Sequence, residues 1–262
     1  MVGGLGLALL YPLSTLAAED KILARLTSPE VTQLNADLSS NEDIAYPDWM
    51  EGTWDVTAQL TAFTAPLGNQ FLGGSSPAIN DKSAAEAAAQ VGKEVRYQLR
   101  FKRLAAGGTV REDRLFNTQQ RLDGYAGRAV VRGVEYVPLD RGGKTKDLNT
   151  LTYFKGGLVG KTFSTRRRWE EAGAGRFRSD ENQRQLYGRR CNQSVEARVC
   201  PPPITTDQEV LSEYALAADG SVAGTVRLLG YLNPNDRLYF SAKQRAVTIS
   251  DYALRLERAA QP

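Results

Sequence analysis

Apolar and polar residues alternate with a period of two along most of this chain. In residues 95–102 every second side chain is apolar, and Arg, Gln and Lys occupy the positions between them. A second run of this kind covers residues 54–62. Such alternation buries one face of an extended segment and exposes the other, so both runs predict half-buried β-strands.

Shorter runs of the same kind follow, and glycine-containing turn signals such as Asp219-Gly220 separate them. Many short strands joined by such turns are typical of an antiparallel sandwich or barrel. We therefore predict an all-β fold, an up-and-down barrel of about 8–10 strands that leaves no free edge. The further strand candidates are residues 109–119, 127–137, 151–154, 161–169, 176–186, 208–217, 224–232, 238–240 and 245–256.

The last of these runs changes its phase. Val247 and Ile249 fall on one parity, whereas Tyr252 and Leu254 fall on the other. A β-bulge shifts the alternation by one residue, so we expect a bulge near Ser250-Asp251. All of the apolar side chains of the run would then face the same side of the sheet.

The N-terminal residues 1–18 contain an apolar run that is shorter than the ~20 residues of a membrane span. Small residues and two acidic residues follow this run. The pattern is typical of an export segment, and we expect processing near Ala17 or Ala18. No Lys or Arg precedes Lys21, so the usual basic region is missing. An uncleaved N-terminal anchor is the alternative.

Short helical segments are predicted between this segment and the barrel. Leu23, Leu26 and Leu34 have an imperfect helical spacing, and Ser28-Pro29-Glu30 signals a helix start because proline is favoured in a first turn. Another short helix is expected at 82–89, inside an Ala-rich insertion. The chain thus divides into an export segment at 1–18, a helical and linker extension at 19–46 and a barrel domain at 47–258.

The charges are unevenly distributed along the chain. It contains 33 basic and 30 acidic residues, with a net charge of +3. Between Arg96 and Arg198 there are 23 basic and 11 acidic residues, a net charge of +12. The remainder is net acidic. We expect one electropositive and one electronegative face, the alternative being a set of solvated strand faces.

Histidine is absent from the chain. This excludes Ser-His-Asp hydrolases, Cys-His proteases and His-ligated zinc or haem. The adjacent carboxylates Glu170-Glu171 and Asp180-Glu181 would point to opposite faces of a strand, so neither pair forms an acid and base couple. We expect a protein that is not an enzyme, with no cofactor and no metal site.

The two cysteines, Cys191 and Cys200, enclose eight residues. An even, closely spaced pair in an exported chain predicts a disulfide that closes a loop. Two unlinked buried thiols are the alternative. If the disulfide forms, the compartment of the mature protein is oxidising.

The first strand opens with Gly52-Thr53-Trp54. Lipocalin and calycin barrels begin with Gly-x-Trp at their closed end, where glycine permits a tight entry and tryptophan fills the narrow barrel. An ordinary core tryptophan is the alternative. Together with Pro47-x-Trp49-Met50 and the Pro- and Gly-rich residues 65–74, this motif resembles an uncharacterised lipocalin-like family of chloroplast and cyanobacterial proteins associated with the thylakoid lumen.

The resemblance implies a lipocalin-like barrel with short N-terminal helical segments. It also implies a place in the chloroplast thylakoid lumen, or in the cyanobacterial lumen or periplasm, peripheral to the membrane. It brings no catalytic residues.

A basic run, Arg166-Arg167-Arg168, precedes Trp169, and Arg189-Arg190 follows later in the chain. On a strand, Arg166 and Arg168 share one face and Arg167 has the other. Arginine beside an aromatic residue binds phosphates or acidic surfaces. In an exported barrel we expect acidic proteins or anionic lipids as partners rather than nucleic acid. The candidate partner-binding surface comprises Arg166, Arg168, Arg189 and Arg190.

Two functions follow from these features. The first is a non-enzymatic thylakoid-lumen factor that docks on a photosynthetic membrane complex, such as a photosystem, during assembly, repair or stabilisation. The second is a carrier of a lipid, pigment or isoprenoid ligand. The barrel interior separates the two, because an interior filled by side chains carries no ligand, whereas a cavity of ~300 Å³ or more could.

Overall fold

The computed structural model describes residues 21–28, 33–38, 40, 42–72, 76–105, 108–137, 148–189 and 204–260. In these residues ten antiparallel strands form one curled sheet, a half-barrel accompanied by short helices. The all-β prediction is confirmed. The strands are β1 (Gly52–Thr64), β2 (Glu94–Arg103), β3 (Val110–Glu112), β4 (Val131–Tyr136), β5 (Asn149–Phe154), β6 (Leu158–Glu171), β7 (Arg176–Arg189), β8 (Ile204–Leu216), β9 (Val222–Tyr231) and β10 (Thr248–Arg258). The α-helices are α1 (Lys21–Thr27), α2 (Pro77–Ala88), α3 (Arg114–Ala126) and α4 (Tyr239–Ala242), with single 3₁₀ turns at Asp48–Met50 and Asn69–Phe71.

The strand order is β3-β2-β1-β10-β9-β8-β7-β6-β5-β4. Neighbours from β4 to β10 are consecutive in the chain, and β1 pairs with β10, which brings the two ends of the domain together. The two edge strands, β3 and β4, do not pair with each other in the described sheet. The expected ring without a free edge is therefore wrong, because a seam remains between β3 and β4.

Helix α3 lies across this seam and packs against β2 and β4. Its side chains satisfy the exposed strand edges, which would otherwise present unpaired backbone groups. Asn117 accepts from the backbone N–H of Arg100 at 2.7 Å and donates to the carbonyl of the same residue at 3.1 Å. On the β4 side, Asp123 accepts from the N–H groups of Val130 and Val131. Side chains of α3 thus bind backbone groups at the edges of β2 and β4 that a neighbouring strand would otherwise pair with.

The stretch that precedes β1 closes the seam at the end of the sheet where β1 begins. Ser40 forms a bridge with Arg167 of β6, and Tyr46 forms one with Val110 of β3. The chain between these two bridges therefore crosses from one side of the seam to the other.

Two strand predictions are wrong. Within residues 109–119 only the first part is extended, because the Asp113 side chain accepts from the N–H of Phe116 and starts helix α3. The helix ends at Gly127, whose φ of 62° suits glycine. Residues 238–240, also predicted as a strand, contribute to the helical turn α4. The helix predicted at 82–89 is confirmed as part of α2.

The core at one end of the half-barrel surrounds Trp54, which is fully buried. Its indole N–H donates to the Met50 carbonyl at 2.9 Å, and the Arg258 guanidinium stacks over its ring at 4.1 Å. Gly52 has a φ of 125°, and a Cβ there would collide with Arg258. Glycine is therefore required at this strand entry. The core also includes Val56, Leu99, Phe101, Phe177, Val222 and Leu256.

A second apolar cluster covers the outer face of β8, β9 and β10. Ile22 and Leu26 of α1 pack there against Leu211, Leu229 and Ile249. Strand β10 is thus buried on both faces, with Leu254 in the inner core and Ile249 in the outer cluster. The bulge predicted near 250–251 in β10 is therefore wrong as an explanation of the phase change. The register shift at this level lies on the β1 side, between Leu60 and Ala62.

The structure tests only some of the predictions for the N-terminal residues. Helix α1 confirms a short helix in the extension. Most of the predicted helix start at 28–30 and the export segment at 1–18 lie outside the described residues. No helix in the described ranges has the length and apolar character that a membrane crossing requires.

A buried carboxyl pair lies beneath the N-terminal extension. Asp180 and Glu209 stand on neighbouring strands, and both are fully buried. Arg25 of α1 binds Glu209 through two contacts of 2.6 Å, and Asn35 donates to Asp180 at 2.7 Å. Tyr231 donates to Glu209 at 3.1 Å. Burial, and then the charge of Glu209, raise the pKa of Asp180 to about 8, so Asp180 is mostly protonated at neutral pH.

This pair makes folding depend on pH. The folded protein keeps a proton that an unfolded aspartate, with a pKa of about 3.9, releases. Stability therefore falls as the pH rises from about 4 to about 8, by up to about 1.4 kcal/mol per unit. Asp180→Asn should flatten this slope, because its amide is neutral at every pH. Urea unfolding from pH 5 to pH 8 measures the effect.

Asp37→Asn serves as the matched control, because Asp37 is exposed in the same extension. It should leave the slope unchanged. An Asp180→Asn variant with the wild-type slope would show that Asp180 does not hold the proton.

Candidate functional site

A cavity of about 370 Å³ occupies the interior above the Trp54 core. It lies between the curled sheet and α3, and β2 and β5 to β10 contribute to its walls. Inward-facing residues such as Val210, Val226 and Leu228 are only half-buried, because the cavity leaves part of their surface uncovered. Tyr125 lines the cavity and is 48% exposed, so the cavity opens to solvent at the C-terminal end of α3.

One wall of the cavity is mainly polar, and most of its side chains are uncharged, although Phe154 and Tyr187 also line it. Strand β7 supplies alternate residues from Ser179 to Gln185, with Glu181 among them, because the period of two aims every second side chain inward. Strands β5, β6 and β8 continue this surface. The uncharged members are Thr150, Thr152, Thr162, Ser164, Ser179, Gln183, Gln185, Gln208 and Ser212.

The opposite wall is aromatic and aliphatic. The rings of Tyr97 and Tyr125 lie 5.9 Å apart, and Tyr125 meets Tyr252 edge-on at 6.0 Å. Gly124 makes this arrangement possible, because a Cβ there would stand 2.9 Å from the backbone oxygen of Arg96. The remaining apolar members of this wall are Leu99, Leu122, Val226, Leu228 and Leu254.

The tyrosine hydroxyls of this wall are neutral hydrogen-bonding groups. Burial raises the pKa of Tyr214 to about 12, and it raises the pKa values of Tyr97, Tyr125 and Tyr252 as well. A hydroxyl with a raised pKa keeps its proton at neutral pH and is a poor general base. The tyrosines therefore offer donors and ring faces rather than charge.

The floor of the cavity contains a buried ion network. Arg114 of α3 contacts Glu181 at 2.8 Å and Asp43 at 2.6 Å, and Arg167 contacts Glu181 at 3.0 Å. Arg167 also donates to the carbonyls of Glu42 and Ser164. Burial alone would raise the pKa of Glu181, but the two arginines outweigh it and lower the pKa to about 2. The carboxylate is therefore charged at neutral pH.

A second pair lies beside this network. Arg121 of α3 contacts Glu112 of β3 at 2.8 Å, and Asn117 also donates to Glu112. Each guanidinium at the floor thus has a carboxylate partner. The site can orient a ligand by hydrogen bonds and ring contacts, but it presents no unbalanced charge to it. In the described residues no group of three or more acidic or sulfur side chains is placed to hold a metal ion.

The residues selected from the sequence lie away from this cavity. Gly52 and Trp54 stand at the closed end, and Arg166 and Arg168 face outward on β6. Arg189 is exposed at the end of β7. The remaining selected residues, Arg190, Cys191 and Cys200, lie outside the described residues.

Folding partly neutralises the basic middle segment. Arg103 contacts Asp48 and Glu51, and Arg184 contacts Asp207, all of them acids from outside that segment. These contacts reduce the expected separation of the surface charge into one positive and one negative face. Three other arginines of the segment do not pair with a carboxylate of the described chain. They are Arg166, Arg168 and Arg189.

The sequence left the presence of a cavity open, and its analysis named none of the polar residues that line it. The available signal was the unbroken polar run of residues 178–185 in β7, in which alternate residues from 179 to 185 are Ser, Glu, Gln and Gln. A strand that is buried by its neighbours and yet lacks an apolar face predicts a polar interior.

A family model described as a domain of unknown function (DUF6816) matches residues 39–260. The search of curated proteins and the search of solved structures each returned no match.

Proposed function

The chain belongs to the DUF6816 family of domains of unknown function, and we propose that it binds and carries a small, neutral, amphipathic ligand in its interior. The observation that carries this proposal is the open cavity of about 370 Å³ with one polar wall and one aromatic wall. A side-chain-filled interior would have favoured a purely docking role. The carrier function, the second of the two expected from the sequence, thus becomes the leading one.

The size of the cavity limits the ligand. Sites for drug-sized ligands have volumes of ~300–1,000 Å³, and this cavity lies at the lower end of that range. A compact molecule with one or two rings fits it better than a long-chain lipid or pigment does. The tyrosines pack against its rings, and the Ser, Thr and Gln side chains bind its polar groups.

The charge balance of the floor favours a neutral ligand. Arg114 and Arg121 are already paired with Glu181 and Glu112. An anionic ligand would have to break a buried ion pair and leave a carboxylate without its partner, which is costly. We propose binding and release without chemical conversion, because the protonated tyrosines are poor bases.

Binding of a matched pair of fluorophores tests this proposal. N-phenyl-1-naphthylamine is neutral, and 8-anilino-1-naphthalenesulfonate is the same molecule with an added sulfonate. We expect the neutral compound to bind one site with a fluorescence increase, at least about tenfold more tightly than the sulfonate, because the sulfonate finds no unpaired cation. Equal or tighter binding of the sulfonate would contradict a neutral-ligand site.

Two neighbouring residues of β9 localise the binding. Val226 lines the cavity, whereas Thr225 is exposed on the outer face. Val226→Trp should fill the cavity and weaken N-phenyl-1-naphthylamine binding at least about tenfold, while Thr225→Trp should leave it unchanged. If Val226→Trp does not fold, Leu228→Trp replaces it in the test, because Leu228 also lines the cavity and lies nearer to its open end. Unaltered binding in both cavity variants would place the fluorophore elsewhere.

A second proposed function is docking on a photosynthetic membrane complex in the thylakoid lumen. It is supported by the outward-facing Arg166 and Arg168 and by the exposed Arg189, which lack carboxylate partners in the described chain. The lumenal location, the peripheral association and an oxidised Cys191–Cys200 pair belong to this proposal. They rest on the sequence resemblance and on the sequence features given above.

The charge surface can be tested with two double variants of equal net charge. Arg166→Glu with Arg168→Glu should weaken binding to isolated thylakoid membranes, most strongly at low salt, because rim charges govern association. Arg96→Glu with Arg255→Glu changes two exposed arginines on β2 and β10, and it should bind like the wild type. Equal effects of the two double variants in a co-sedimentation assay would remove Arg166 and Arg168 from the mechanism.

A further inference from the structure

The loop between β9 and β10 exposes an aromatic side chain. This α4 loop, residues 232–247, carries Phe240, which is 83% exposed. The ring of Tyr239 lies beside it at 5.3 Å. A singly exposed apolar side chain is normal on a protein surface, so Phe240 points to an interaction site only together with the features of the loop around it.

The α4 loop is anchored on both sides of Phe240. Ala242, Ala246 and Val247 are buried, and the N–H of Ala242 donates to the Leu238 carbonyl at 2.9 Å. The exposure of Phe240 is therefore imposed by a fixed backbone and is not the result of a loosely packed segment.

The backbone after the helical turn is strained. Lys243 and Gln244 have φ angles of 52° and 57°, and in the described residues they are the only non-glycine positions in this region of φ. The left-handed conformation reverses the chain and returns Ala246 to the outer apolar cluster. Such strain persists where the surrounding structure requires it.

The charges of the α4 loop are almost all positive. Arg237, Lys243 and Arg245 are exposed, and none of them pairs with a carboxylate of the described chain. Asp236 is the one acidic residue of the loop, and it accepts from the N–H of Asn233 at 2.6 Å. Cations that flank exposed aromatic rings complement an anionic lipid surface, where the rings occupy the headgroup region.

The position of the α4 loop connects it with the cavity. Strand β9 ends and β10 begins at one end of the sheet, where Gly230 pairs with Thr248, and Tyr252, in the half of β10 nearer this end, contacts Tyr125 at 6.0 Å. The cavity opens to solvent at this end, beside Tyr125. The Trp54 core closes the opposite end.

We propose that the α4 loop docks this end of the protein on a bilayer that contains anionic phospholipids. Phe240 enters the headgroup region, and Arg237, Lys243 and Arg245 contact the phosphates. The docking goes beyond the proposed ligand binding and does not depend on it. If the interior carries a ligand, docking in this orientation brings the cavity opening toward the membrane.

Leu104 provides a matched control at the opposite end. It is 71% exposed in the turn after β2. Its neighbour Arg103 is paired with Asp48 and Glu51, so this turn lacks the free cations of the α4 loop. An apolar side chain of similar exposure is thus available in a different charge environment.

Co-sedimentation with vesicles tests the docking. We expect the wild-type protein to bind vesicles of phosphatidylcholine and phosphatidylglycerol and not to bind phosphatidylcholine alone. Phe240→Ser should weaken binding at least about tenfold, because the buried area of one large apolar side chain is lost. Lys243→Glu with Arg245→Glu should weaken it at least as much, whereas Leu104→Ser should have no effect.

A tryptophan at each position reports the contact directly. The emission of Phe240→Trp should shift to shorter wavelength when anionic vesicles are added, relative to the wild type, and that of Leu104→Trp should not. Val226→Trp should still sediment with the vesicles, which separates this proposal from the cavity.

Three results would overturn the docking. The first is equal binding to neutral and anionic vesicles. The second is an equal loss of binding in Leu104→Ser and Phe240→Ser. The third is an emission shift of Phe240→Trp that appears without vesicles as the protein concentration rises, which would assign the α4 loop to a contact between copies of the chain.

Discussion

The buried contact between Arg114 and Glu181 is the interaction on which the rest of this structure depends. It ties α3 to β7 across the seam, and Asp43 and Arg167 complete its charge balance. Buried ions lose their hydration, so a network of this kind is stable only when each charge has a partner. Removing one member typically costs ~3–5 kcal/mol, because the remaining charge is left buried and alone. This one network therefore fixes the position of α3 over the seam, the floor of the cavity and the path of the chain before β1.

Closing a sheet with a helix has a consequence for the interior. A strand in the seam would continue the ladder, whereas α3 satisfies the sheet edges through side chains such as Asn117 and Asp123. The apolar core is concentrated around Trp54, and the space above it is lined by hydroxyl and amide groups. This space is the basis of the ligand proposal, and the exposed loop at the same end is the basis of the membrane proposal.

The sequence predicts this fold well where one face of a strand is buried and the other is solvated, as in β1 and β2. It predicts β10 poorly because Ile249 is buried under α1 and Leu254 in the core, and a single period cannot describe two buried faces. Helix α3 was missed because its start depends on one side chain, Asp113, after a short true strand. The cavity depends on contacts between residues far apart in the chain, such as Arg114 with Asp43, which local patterns do not contain.

Methyl-resolved NMR during a titration with N-phenyl-1-naphthylamine tests most directly whether the interior is an accessible site. The methyl signals of Leu228 and Leu254, which line the cavity, should shift and saturate together at one equivalent of the compound. Those of Val56 and Leu256, packed beside Trp54, should stay nearly unchanged. Shifts confined to exposed residues such as Ile79, with no change at the cavity methyls, would contradict the account.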